Sequence, residues 1–190
     1  MLKRLWAALL GGHPRDRDDA PASAVFPPEV LVIPHDDHHG RWVGRLPDGQ
    51  GIFITTPFVP AAGGQTSREF LALYRFSPEG DLLEARIEAL GSREDLVGAG
   101  RAHLLPGNVA EANPVVEAGI RALLASCPGW VPGDIKAKPF RIERFGLSFG
   151  LIPDSAEDFD DDPDFEPVYV SLMPGNYMAF MAPWDGSYDT

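Results

Sequence analysis

An α+β fold, a mainly antiparallel sheet built from hairpins with one or two helices packed on it, is the architecture this sequence predicts. Three observations carry it. Gly 20 and Pro 19 together exceed a fifth of the 190 residues, which calls for many turns and short elements and argues against an all-helical bundle. Short β-like runs outnumber helical patterns along the chain. Hairpins outnumber strand–helix–strand units, which favours antiparallel pairing.

The elements follow in chain order. "EVLVI" (29–33) is a short apolar run that reads as a strand. "WVGRL" (42–46) resumes the sheet after a His-rich turn, "PDGQG" makes another turn, and "IFITTPFV" (52–59) is strongly β-like. "REFLALYRF" (68–76), "SPEG" and "DLLEARIEAL" (81–90) form a hairpin pattern. Phe70, Ala72, Tyr74 and Phe76 alternate with Leu71, Leu73 and Arg75, a period of two. The second arm would also suit a helix through Leu82, Leu83, Ile87 and Leu90, and the strand is the preferred reading.

"NPVVEAGIRALLASCPG" (113–129) is the best helix. Asn113 caps it, Pro114 fits the first turn, and Val115, Val116, Ile120, Leu123 and Leu124 make the apolar stripe. "KPFRIERFGLSFGLI" (138–152) alternates Phe140 and Ile142 against Arg141 and Glu143, then runs apolar. "EPVYVSLMPGNYMAFMAPW" (166–184) reads as a hairpin with Pro174-Gly175 at the centre of a type II turn. Residues 25–190 are expected to make a single α+β domain with an acidic loop at 154–166.

Residues 1–24 read as an appendage, a short helix and a linker. Leu2, Leu5, Trp6 and Leu9 share one helical stripe, ended by Gly11 and Gly12. The stripe is far too short for a bilayer, which needs about 20 apolar residues. The charged "HPRDRDD" is the wrong chemistry between the apolar core of a signal peptide and its cleavage site. A peripheral membrane protein held by residues 2–10 is therefore a minor reading, and cytoplasmic residence the main one. The single Cys127 rules out an internal disulfide and is compatible with a reducing compartment.

The net charge of −12 is unevenly placed: residues 154–190 carry ten acidic side chains and no basic one. Such a face repels polyanions, and no Lys/Arg cluster elsewhere offers a nucleic-acid footprint.

Four motifs raise chemical questions. "PHDDHHG" (34–40) holds His35, Asp37, His38 and His39, all suitable ligands for a divalent transition metal. His103 would be the only downstream histidine to complete such a site. The competing reading is a polar turn between two strands. "GLSFG" (146–150) matches the nucleophile-elbow pattern, yet Pro153 blocks a following helix and no histidine lies beyond residue 103. It reads instead as a strand with glycines at a bend. "DSAEDFDDDPDFE" (154–166) alternates Asp160, Asp162 and Asp164 without the glycine and glutamate that a calcium loop requires. "PWDGSYDT" (183–190) sets Trp184 and Tyr188 beside acidic residues, either as interface anchors or as rings folded onto the core. "GAGR" (98–101) is no dinucleotide fingerprint.

Two functional expectations follow. The first is a small soluble binding or regulatory protein, non-catalytic and without a cofactor. Its acidic C-terminal surface, through Asp160, Asp162, Asp164, Trp184 and Tyr188, would dock on a basic protein partner. The alternative is a metal-dependent hydrolase or oxygenase with a His/Asp site at residues 35–39.

Overall fold

The computed structural model of the chain describes residues 28–97, 113–154, 169–175 and 178–190. The expected N-terminal helix and linker, His103, "GAGR" and the acidic residues Asp160, Asp162 and Asp164 lie outside the described residues. Every strand pair among the described residues is antiparallel. One sheet contains β2 (Val43–Arg45), β3 (Gly51–Thr55), β4 (Phe58–Val59), β5 (Arg68–Phe76), β6 (Leu82–Gly91) and β7 (Val131–Pro132). A second contains β9 (Phe140–Arg144), β10 (Leu147–Asp154), β11 (Tyr169–Met173), β12 (Ala179–Phe180) and β13 (Tyr188–Asp189). β1 (Leu31–Ile33) and β8 (Ile135–Ala137) make a two-stranded ribbon.

The β5–β6 hairpin forms as the period-two pattern predicts, with Phe70 opposite Ala89 and Tyr74 opposite Ala85. The 52–59 run is broken at Pro57 into β3 and β4, which share one edge of β5. Proline cannot donate to a ladder, but its carbonyl still accepts the Phe70 N–H at 2.9 Å. The 138–152 stretch is not one strand. It folds back at Phe145 and Gly146, both at positive φ, into β9 and β10. Positive φ at both central residues is the geometry of a tight hairpin turn, and Phe145 holds it by stacking on Phe70 at 5.7 Å.

Strand β5 is buried on both faces, and this organises the molecule. Phe70, Ala72, Tyr74 and Phe76 face a core shared with Phe149 and Leu151 of β10, Val170 and Leu172 of β11, and Phe180 of β12. The sequence predicts a sheet covered by helices; the structure adds a second sheet as cover. Leu71 and Leu73 point the other way. There they meet Ile52, Ile54 and helix α2 (Pro114–Ala125).

Helix α2 begins as expected, since Asn113 Oδ1 accepts the N–H groups of Val115 and Val116. It ends at Ala125 because Pro128 cannot supply the next helical donor. Val116, Ile120 and Leu123 are buried, whereas Val115 faces outward and is 56% exposed. Gly119 sits where a Cβ would lie 2.6 Å from Leu71 Cδ2, so a larger residue there would force the buried Leu71 side chain to shift. A short helix, α1 (Arg93–Val97), has too few turns to show an apolar period. Its signal is Ser92-x-x-Asp95, a reciprocal cap in which the Asp95 N–H donates to Ser92 Oγ at 3.0 Å and Ser92 Oγ donates to Asp95 at 2.8 Å.

Candidate functional site

The two most suggestive stretches, 34–40 and 183–190, meet in space. Asp36 is the joint. Its Oδ1 accepts the backbone N–H of His38 at 2.7 Å and of Gly40 at 2.8 Å, curling the segment into a tight turn. Its Oδ2 accepts the Tyr188 hydroxyl at 2.6 Å, across 152 residues of chain. Gly40 is obligatory here, because a Cβ would run into the Pro34 carbonyl. The His35 N–H donates to Asp134 Oδ1 at 2.9 Å, and His35 Nδ1 faces the Gly40 carbonyl at 3.2 Å. A second tie joins the same segments, since the Val32 N–H donates to the Trp184 carbonyl at 3.0 Å. Trp184 holds a positive φ of 66°, a conformation that a bulky side chain adopts only when its surroundings impose it.

The electrostatics follow from this geometry. Burial opposes charge on Asp36, but the bonds from Tyr188, His38 and Gly40 outweigh it and hold the carboxyl below its usual range. Burial and then the Asp36 bond push the Tyr188 phenol upward, so it is a firm donor at neutral pH. Burial and the neighbouring His38 push His39 down, with Asp36 partly offsetting them. The two imidazoles stand 4.1 Å apart between centroids, and His39 meets Tyr188 edge-on at 6.1 Å.

His35, Asp37, His38 and His39 do not gather around a common point. Asp37 and His38 are exposed, and His35 is turned toward Gly40. Among the described residues no group of three or more His, Cys, Asp or Glu side chains could hold a metal ion. Asp36, the residue that organises the turn, is absent from the ligand set the sequence suggests. Its signal is an Asp followed two and four residues later by backbone donors, with glycine at the second of them.

Trp184 and Tyr188 are both half-buried against the inter-sheet core, with the Tyr188 ring 5.7 Å from Phe180. They fix the C-terminal segment from the inside. Asp185 and Asp189 remain exposed. The Ser187 N–H donates to Asp185 Oδ1 at 3.1 Å and the Thr190 N–H to Asp189 Oδ1 at 2.8 Å. On the same segment a groove of about 330 Å³ opens among Ser171, Met173, Gly175, Met178, Ala179 and Asp189. Sequence patterning gives no sign of it. The "GLSFG" serine is likewise structural, donating from Ser148 Oγ to Glu143 at 2.6 Å across the hairpin. Cys127 is fully buried.

Compared with models of protein families, with curated proteins and with solved structures, the chain matches none. Among the described residues no helix is long and apolar enough to cross a membrane.

Proposed function

We propose that this protein is a small soluble, cytoplasmic binding or regulatory protein that docks its acidic C-terminal surface on a basic protein partner. The observation that carries this reading is the charge asymmetry: ten acidic and no basic side chains over residues 154–190. Complementary charge steers encounter and fixes orientation between protein surfaces. The anchoring of Trp184 and Tyr188 supports it, because exposed Asp185 and Asp189 then stand on a segment tied to the core. The turn at 34–40 serves that anchoring, since Asp36 spends its carboxylate on Tyr188 and two backbone amides.

The test is affinity capture from a lysate with the full chain beside Asp160→Lys/Asp162→Lys/Asp164→Lys. Captured basic proteins should lose about tenfold or more in affinity in the variant, and the wild-type interaction should weaken with added salt. Partners retained unchanged by the charge-reversed chain would overturn the proposal.

A further inference from the structure

Strand β6 is a long open edge. Among the described residues it pairs with β5 and with no other strand, while β3 and β4 occupy the far side of β5. No backbone hydrogen bond among the described residues reaches its outer side. Such an edge presents a row of unpaired N–H and C=O groups that can template another strand. Past Gly91 the chain turns back across the start of β5. There the Arg93 N–H donates to Ser67 Oγ at 2.9 Å, and Arg93 Nε donates to Glu69 at 2.8 Å. The register of β6 on β5 is regular from Glu84 opposite Arg75 to Ala89 opposite Phe70. Glu84, Arg86 and Glu88 stand opposite Arg75, Leu73 and Leu71, so all three charges lie on the face that carries α2. Their order is acid, base, acid, and with Arg75 the charges cancel. Arg86 Nε donates to Glu84 at 2.6 Å, and Arg75 Nε approaches the same carboxylate at 3.8 Å. Glu88 is exposed and has no ion pair among the described residues.

We propose that β6 is a self-association edge, and that its partner is β6 of a second copy of this chain, paired antiparallel about a two-fold axis at Ile87. A two-fold axis normal to the joined sheet keeps each face on its own side and sets one residue opposite itself. Charge then selects the register. Centred on Ile87, Arg86 faces the second copy's Glu88, and Glu88 faces the second copy's Arg86. Ala85 meets Ala89 on the opposite face, and all these residues fall within the regular stretch. Centred on Arg86, two guanidinium groups meet and each Glu84 meets a Glu88. Centred on Glu88, two carboxylates meet. Centred on Ala85, Glu84 meets Arg86, but Glu84 already has two cations of its own chain beside it and Glu88 gains none. The Ile87 register alone among these gives the exposed Glu88 a cation and opposes no like charges. The inference goes beyond docking on a basic partner and does not rest on it.

The experiment is sedimentation equilibrium of the full chain across a range of concentrations. The wild type should show a monomer–dimer equilibrium. Arg86→Glu and Glu88→Arg each set like charges opposite one another at both ends of the two-fold, and each should weaken the dimer about tenfold or more. The combined Arg86→Glu/Glu88→Arg restores opposite charges in this register and should return the dimer close to wild-type strength. Arg86→Gln/Glu88→Gln adds no repulsion and should fall between the wild type and the single reversals. Thermal unfolding confirms that each variant folds, and the neutral Gln pair carries the test if a reversal does not. A wild type that stays monomeric up to its solubility limit overturns the proposal. So does a dimer that none of these substitutions weakens, or a folded double reversal that remains as weak as the single ones. Weakening by Arg86→Glu but not by Glu88→Arg would place the axis at Ala85 and overturn the proposed register.

Discussion

The two faces of strand β5 are packed by different means. On one side Phe70, Tyr74 and Phe76 meet Phe53, Phe140 and Phe149. Tyr74 and Phe140 stand edge-to-face at 5.1 Å, as do Phe70 and Phe149. On the other side Leu71 and Leu73 meet the aliphatic residues Val116, Ile120 and Leu123 of a single helix. Large flat rings fill the layer between two sheets, which pack about 10 Å apart. Branched aliphatic side chains and one glycine fill the layer beneath α2. The difference teaches that alternation identifies two faces, while the residue sizes on each face indicate what will cover it.

The largest effects should come from breaking the aromatic layer. Phe149→Ala is expected to cost about 3–5 kcal/mol, against about 2–3 kcal/mol for Ile120→Ala at the margin of the helical layer. Chemical denaturation of both variants measures the contrast, and equal losses would remove the distinction between the layers.

The Asp36 joint comes next. Asp36→Ala strands the Tyr188 hydroxyl and two backbone donors at a partly solvated site, with an expected loss of about 1–3 kcal/mol. Hydrogen exchange should rise first in residues 184–190. Protection there that matches the wild type would mean that the tie does not hold the segment.

The same joint has a pH signature. The Asp36 carboxyl is depressed in the fold, so its contribution is complete above the unfolded value and is lost as pH falls through the folded one. His39 is also depressed below 6.5, and the folded state favours its neutral form. Its contribution is therefore present above about 6.5 and fades as pH drops below that value. Melting temperature against pH should show both steps in the wild type and lack the lower step in Asp36→Ala.

A smaller effect separates the helical layer from the rest. Asn113→Ala removes the acceptor for the Val115 and Val116 amides and should cost about 1 kcal/mol. Exchange should quicken mainly over the first turn of α2. The smallest effect concerns Tyr74, whose hydroxyl is buried with no hydrogen-bond partner among the described residues. Tyr74→Phe removes that desolvated group, so stability should stay level or rise slightly, by less than about 1 kcal/mol. A clear loss of stability would show that the hydroxyl is bonded after all.

Much of the fold is legible from short windows. The period of two identifies the β5–β6 hairpin, and the period of 3.6 with Asn113 and Pro114 identifies α2. Other local features resist such reading. Phe145 is no turn former, so its hairpin is visible only once Phe70 stacks beneath it. Val115 and Val116 are equivalent in the sequence, and only the docking of α2 on Leu71 and Leu73 decides that Val116 is inside.

The candidate site divides the same way. Residues 34–40 and 183–190 stand out for their chemistry, but nothing local pairs them. The bond from Tyr188 to Asp36 spans 152 positions. The groove arises because Ser171, Ala179 and Asp189 fall side by side on three strands. Sequence by itself determined the strand and helix periods, the helix cap and the acidic excess of residues 154–190, because each is a property of composition or of nearest neighbours. The tertiary structure decided that a second sheet covers the first, that Asp36 fastens the C-terminal segment, and that Ser171, Ala179 and Asp189 stand side by side. Those outcomes depend on register and layer stacking, which are set by contacts between residues far apart in the chain.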